Sequence, residues 1–194
     1  MLTFRVKGMP RYLPVQLDAA NKDIREVYSS VEEQLGFVPN FLKTLAHSGN
    51  FLEALAAFYQ RITGETGLSE KIRQLAILKT CKLHKCQYTV TYHAELARKA
   101  GWSDEQIESM DDYSSSDLFS YYEKEVLQLA EQVSAEPEEI QDDFWTQLDN
   151  HFTSDQVVEL ITLVAFFNFL NRFIQALQIE PDPVPKLIQT RQTD

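Results

Sequence analysis

Apolar residues recur every three to four positions in almost every segment between Asp18 and Gln178, a rhythm that a helix buries on one face and a strand cannot. Ile24, Val27, Tyr28 and Val31 carry it early in the chain, and Ile72, Leu75, Ala76, Leu78 and Lys79 describe one mainly apolar face further on. Six glycines and seven prolines leave little material for a turn-rich β architecture. The expectation is an all-α protein, and 194 residues are enough for one well-filled core.

Local signals place the helices. Residues 1–17 are interrupted by Pro10 and Pro14 and read as extended. Asp18 is the predicted N-cap of a helix reaching Leu35, with Gly36 ending it. A short helix FLKTLAHS follows Pro39 and Asn40, then a longer one, FLEALAAFYQRIT, with Asn50 as its cap; Gly64 and Gly67 close this block. Ser69 caps a helix that runs to about Leu83, where Lys82, His84 and Lys85 suit the negative end of the dipole. A break near Lys85 lets a new helix begin at Cys86 and run to Ala100, where Gly101 stops it. Ser103 and Gln106 have capping-box spacing. The polar stretch DDYSSSD, 111–117, separates an N-terminal half of about 1–110 from a C-terminal half of 118–180. That half reads as helices over 118–134, 137–152 and 154–178, and Pro181, Pro183 and Pro185 force an extended tail over 181–194.

LSEKIRQLAIL from Leu68 echoes TSDQVVELITL from Thr153 at a constant offset of 85 residues, which suggests an internal two-fold repeat and would bring Glu159 toward Gln74. The most apolar stretch, Val157–Leu170, is shorter than the roughly 20 residues of a spanning helix and carries Glu159 and Asn168, so it reads as a buried helix. Asn168, Asn171 and Arg172 need partners in so apolar a segment, and hydrogen bonds between helices or subunits are the expected use.

Eighteen basic against 29 acidic side chains give a formal net charge of −11, which repels nucleic-acid phosphates and anionic lipid headgroups, so neither nucleic acid nor a membrane is an expected partner. MLTFRVKGMPRYLPV lacks the apolar core of a secretory signal, and a cytoplasmic location is expected. Two cysteines cannot build a disulfide framework of the secreted kind. There is no Gly-rich phosphate loop, no HExxH and no paired CxxC metal site, and no cofactor or metal is expected.

The chemistry concentrates in CQYTVTYH, where Cys86, Thr89 and His93 stand at i, i+3 and i+7 and share one helix face. The rise between Cys86 and His93 is roughly 10 Å, so a water, Thr89 or a substrate would have to bridge them. A cysteine at a helix start meets unpaired N–H groups and the positive end of the dipole, which favour the thiolate, and His84 and Lys85 add to this. The plainer reading of Cys86 and His93 is a buried thiol with a satisfied core histidine. Cys81 and Cys86 on one continuous helix would be separated by roughly 7.5 Å of rise and point apart, so only the break near Lys85 could make them a redox pair. Tyr88, Tyr92, Phe166, Phe167, Phe169 and Phe173 are core or interface aromatics, with a few available to line a pocket.

Taken in order, GFVPNFLKTLAHSGNFLEA, LSEKIRQLAILKTCKLHKCQYTVTYHAELARKAGWSDEQI and VVELITLVAFFNFLNRFIQAL resemble the carboxymuconolactone decarboxylase and alkylhydroperoxidase D-like superfamily over most of residues 10–180. The resemblance implies a single alkylhydroperoxidase D-like helical bundle and a homo-oligomer, trimeric or hexameric. In the peroxidase members an acid is followed by Cys-x-x-Cys-x-x-x-His: the second cysteine attacks peroxide, the first resolves it, and the histidine and acid relay protons. Carried across, Cys86 takes the place of the first cysteine, Thr89 of the second, His93 of the histidine and Gln74 of the acid. Threonine offers no thiolate and an amide shuttles no proton at neutral pH, so the two-cysteine cycle is not expected.

Three functions fit. One is a thiol-dependent peroxidase or oxidoreductase in which Cys86 is oxidised with His93 in support and is reduced by an external thiol. Another is a catalytically quiet helical oligomer or ligand-binding module. The third is an acid–base enzyme on a small lactone or carboxylic acid, with His93 as base and Glu159 as acid; Arg73, Lys85, His93 and Arg172 are the candidate cations for such a substrate.

Overall fold

The computed structural model describes residues 9–64 and 66–183. Among them every regular element is helical: α1 (Lys22–Leu35), α2 (Asn40–Leu45), α3 (Gly49–Thr63), α4 (Glu70–Leu83), α5 (Gln87–Lys99), α6 (Asp104–Glu108), α7 (Tyr121–Ala135), α8 (Asp142–Asp149) and α9 (Ser154–Leu177). The expected extended segments lie outside the described residues for 1–8 and 184–194; residues 9–17 and 181–183 hold no helix. The described chain divides into two compact units, 9–64 with 173–183, and 66–172, and the polar stretch 111–117 falls inside the second.

The first unit is a small helical layer in which α3 packs on α1 and α2. Tyr28, Val31 and Leu35 form the buried stripe of α1, and Phe41 meets Tyr59 edge-on at 5.2 Å. Gly36 adopts φ 78°, a left-handed conformation that suits glycine, and its N–H closes the helix on Glu32. The cap of α1 is Asn21, whose side chain accepts from the Ile24 N–H, and not Asp18, whose carboxylate accepts from the N–H of Ala19 in the preceding turn. The cap position of α3 is likewise Ser48, two residues before Asn50.

The second unit is built around α4, whose residues from Ile72 to Cys81 are all buried, so it is packed on every side rather than along one face. Its main neighbours are α7 and α5. Burial of Lys79 is offset by the Glu131 carboxylate at 2.6 Å and the Met110 carbonyl at 3.0 Å. Ser69 caps α4 through the N–H of Ile72, and Ser103 and Gln106 form the capping box of α6. The helix expected over 118–134 begins at Tyr121 behind Ser120, which forms a capping box with Glu123. The one expected over 137–152 is split: Pro137–Glu139 make a single 3₁₀ turn, Ile140 is extended, and α8 starts at Asp142.

Helix α9 runs 24 residues, longer than Val157–Leu170, and is long and apolar enough to cross a membrane by length and composition. Leu160, Leu163, Val164, Phe167, Leu170 and Asn171 on it are buried, which is the behaviour of a core helix. It is capped by Thr153, whose hydroxyl and N–H exchange hydrogen bonds with Gln156. That cap stands 84 residues after Ser69, one short of the sequence echo, so the two helix starts are out of register by one position.

Candidate functional site

The site lies in the second unit where α4, α5 and α9 meet, and the turn between α4 and α5 is its foundation. Helix α4 ends at Leu83 with His84 as its C-cap, Lys85 follows at φ 52°, and the chain reverses. The Lys85 N–H bonds the Lys82 carbonyl at 2.9 Å and the Cys86 N–H bonds the Cys81 carbonyl at 3.3 Å, the paired pattern of a Schellman motif. The break expected near Lys85 is therefore present, and the structure shows it to be left-handed. Asn168 on α9 holds the turn by hydrogen bonding the His84 ring through Nε2.

Cys86 is the N-cap of α5, one position before the helix and 2% exposed, and its carbonyl accepts the first intrahelical bond from Val90 at 2.9 Å. Thr89 and His93 are buried on the same face. The Thr89 hydroxyl lies 3.1 Å from the Cys86 carbonyl and 2.5 Å from Asn171 Oδ1. Asn171 is fully buried, and its Nδ2 is without a hydrogen-bond partner among the described residues. The sequence-level expectation for Asn168 and Asn171, hydrogen bonds between helices, describes both residues.

His93 is 1% exposed, its ring wedged edge-on between Tyr92 at 5.0 Å and Phe167 at 4.8 Å. Its Nδ1 lies 2.9 Å from Gln74 Oε1, and Gln74 Nε2 lies 2.9 Å from Glu70 Oε1. A carboxylate accepts, so Gln74 must present its amide N–H to Glu70 and its oxygen to His93. Nδ1 then carries the proton of the neutral ring, and Nε2 keeps the lone pair. The acid expected at Gln74 stands one helical turn earlier, at Glu70, and reaches the histidine through the amide. Arg73 pairs with the other Glu70 oxygen, so it is engaged there. The residue pattern alone pointed to Gln74; the signal for Glu70 was its i−4 spacing on α4.

This chain explains why an amide occupies position 74. In Gln74→Glu a second carboxylate would face Glu70 Oε1 across a 2.9 Å contact. We expect that variant to lose about 1–3 kcal/mol at neutral pH. The like-charge contact raises a folded-state carboxyl pKa, so stability should be present at acid pH and lost as pH rises; thermal melts at both pH values check the sign.

Cys81 sits on the last turn of α4, wholly buried, and burial pushes its thiol up to about 12, with Thr89 and Asn171 beside the sulfur favouring the ionised form and Cys86 opposing it. The neutral thiol is the form the fold prefers. Its contribution to stability is complete below 9.0, the ordinary thiol value, and is lost as pH climbs toward about 12. Native protein at neutral pH should leave Cys81 unlabelled by iodoacetamide, and urea should expose it; equal labelling in both states would contradict this burial.

The remaining candidates are placed elsewhere. Glu159 does not approach Gln74 through its hydrogen bond: its Oε2 accepts from the Gly67 N–H at 3.2 Å and pins the segment before α4. Tyr88 is half-buried on α5, while Lys85 and Arg172 are exposed. Among the described residues no cluster of three or more His, Cys, Asp or Glu side chains could hold a metal ion.

The sequence model of the Carboxymuconolactone decarboxylase family matches residues 49–132, a stretch that contains Gln74, Cys81, Cys86, Thr89 and His93. The uncharacterized protein YdfG of Bacillus subtilis (strain 168) is 23% identical over 119 residues, 61% of this chain and 81% of YdfG. The alkylhydroperoxidase AhpD core of an uncharacterized peroxidase-related protein from Ralstonia eutropha JMP134 superposes with a TM-score of 0.78 at 24% identity, covering 92% of this chain and 95% of that one. The debrominase Bmp8 in its apo form gives 0.74 at 19% identity, covering 90% and 95%.

Proposed function

We propose, for a chain that belongs to the carboxymuconolactone decarboxylase and alkylhydroperoxidase D-like superfamily, a thiol-dependent peroxidase activity in which Cys86 reduces a hydroperoxide and His93 manages the proton. The observation that carries the reading is the arrangement of α5: a cysteine at its N-cap, and on the same buried face a histidine whose tautomer is fixed by Gln74 and Glu70. His93 Nε2 takes the Cys86 thiol proton through a bridging water or Thr89, the sulfur attacks the distal peroxide oxygen, the O–O bond breaks, and the leaving alkoxide receives that proton back from His93. The resulting sulfenic acid is returned to the thiol by two equivalents of reductant thiol, which leave as their disulfide with release of water.

The reading does not require a thiol at Thr89, whose hydroxyl is engaged with Asn171 and the Cys86 carbonyl. The acid–base alternative on a small lactone or carboxylic acid is the weaker one, because Glu159 is engaged with Gly67 and Arg73 with Glu70. The quiet-module alternative would leave His93 without a task, although Gln74 spends two hydrogen bonds on orienting it. A cytoplasmic location and a homo-oligomer, trimeric or hexameric, belong to the same proposal; α9 keeps Val158 63% and Phe169 47% exposed for such contacts. The test is stopped-flow consumption of hydrogen peroxide and an organic hydroperoxide with a dithiol donor. A rate no greater than that of free cysteine sinks the proposal.

A further inference from the structure

Cys81 and Cys86 are both free and buried, and the Schellman turn brings their backbones together. With the Cys86 nitrogen 3.3 Å from the Cys81 oxygen, standard bond lengths hold the two Cα atoms to no more than about 7 Å, against the 4.4–6.8 Å or so over which disulfides form. A continuous helix would have set them roughly 7.5 Å apart along its axis with diverging side chains. In this motif the side chains at the third-last helical position and at the second position past the cap, here Cys81 and Cys86, frequently pack against each other. The left-handed Lys85 is therefore what turns two separated thiols into neighbours.

The surroundings of Cys81 also suit a sulfur that must become nucleophilic. Asn171 is fully buried, its Nδ2 has no hydrogen-bond partner among the described residues, and it stands beside the wholly buried Cys81 thiol, while the Thr89 hydroxyl next to them is spent on Asn171 Oδ1 and the Cys86 carbonyl. A buried amide N–H without a partner is expensive, and an anionic sulfur formed during exchange would satisfy it.

We propose that Cys81 is the resolving thiol for Cys86, so that oxidation ends in a Cys81–Cys86 disulfide closing the α4–α5 turn; this rests on the peroxidase reading of Cys86. In the first step the Cys86 sulfur takes the distal oxygen of a hydroperoxide, giving a sulfenic acid and an alcohol or water. In the second the Cys81 sulfur attacks the Cys86 sulfur, the S–S bond forms, the S–O bond breaks, and the hydroxyl leaves with the Cys81 proton as water. The two thiols supply the two electrons that reduce the peroxide, and an external thiol restores them by exchange through a mixed disulfide. Resolution from within the turn has the advantage of proximity over attack by an outside thiol on a nearly inaccessible sulfur.

The test treats the full chain with hydrogen peroxide in the presence and absence of dimedone, blocks remaining thiols by alkylation under denaturing conditions, and maps the peptides by mass. The expected result is loss of both alkylatable thiols together with a Cys81–Cys86 linked peptide that tris(2-carboxyethyl)phosphine reverses. Cys81→Ser should instead accumulate the dimedone adduct at Cys86. If wild-type protein stops at that adduct with Cys81 fully alkylatable, the resolving role is overturned while the peroxidase reading of Cys86 stands. If Cys86 itself does not react, both fall. The wild-type measurement decides the matter whether or not Cys81→Ser folds.

Discussion

Replacing Cys86 by serine should abolish thiol-dependent peroxide consumption, and replacing His93 by alanine should lower it by a factor of about 10²–10⁴ without abolishing it. The two effects differ because the residues do different work. Serine at the N-cap of α5 keeps the backbone and even improves the cap, so the helix survives, but its hydroxyl does not form the polarisable anion that attacks an O–O bond. His93 is two helical turns away and acts through a bridge, so its loss removes proton management and leaves the sulfur. Stopped-flow rates for the two variants, with circular dichroism to confirm helix content, separate these contributions. The opposite ranking, with His93→Ala inactive and Cys86→Ser unaffected, would favour acid–base chemistry at the histidine.

Phe167→Ala should be the most damaging single change to the fold of the second unit. Its ring is fully buried, meets His93 at 4.8 Å and Phe166 at 5.5 Å, both edge-on, and lies in the middle of α9. Truncating a buried phenylalanine costs about 3–5 kcal/mol from lost transfer free energy and the cavity left behind. For a chain of this length that corresponds to a fall in Tm on the order of 10 °C. The same ring holds His93 in its plane, so the variant should lose activity at temperatures where it remains folded. Phe167→Leu refills part of the space and should recover stability before it recovers rate. Equal recovery of both would mean that the ring contributes packing alone.

Most of the local architecture was legible in the sequence because the signals are local. Ser69, Gly36, the Ser103–Gln106 box and the stop at Gly101 act over three or four residues, and a short-range hydrogen bond or a left-handed φ needs no partner from elsewhere in the chain. At Asp18, Asn50 and Leu118 the expected helix start lies two or three residues from the cap the structure uses, Asn21, Ser48 and Ser120, because several neighbouring residues are competent caps; at Pro137 a single 3₁₀ turn and an extended Ile140 split the expected helix. Burial of α4 on all sides was hidden because Lys79, Arg73 and Gln74 interrupt its apolar pattern, and each is neutralised by a partner distant in sequence or one turn away on the same helix.

The candidate site divides along the same line. That Cys86, Thr89 and His93 share a face follows from helical periodicity, and the sequence sufficed for it. Whether Gln74 replaces an acid or transmits one depends on which way its amide points, and that was settled by Glu70 on the same helix and His93 on the next. The relation of Cys81 to Cys86 was more remote still from the sequence. A helix spacing of five holds two thiols apart, whereas one residue at φ 52° and a 3.3 Å hydrogen bond bring their backbones together, and the buried Asn171 of α9 completes the surroundings. Periodicity determined which residues lie on a common face; only the tertiary structure decided which of them meet, because reversal of the chain and the approach of a third helix set distances that sequence spacing does not encode.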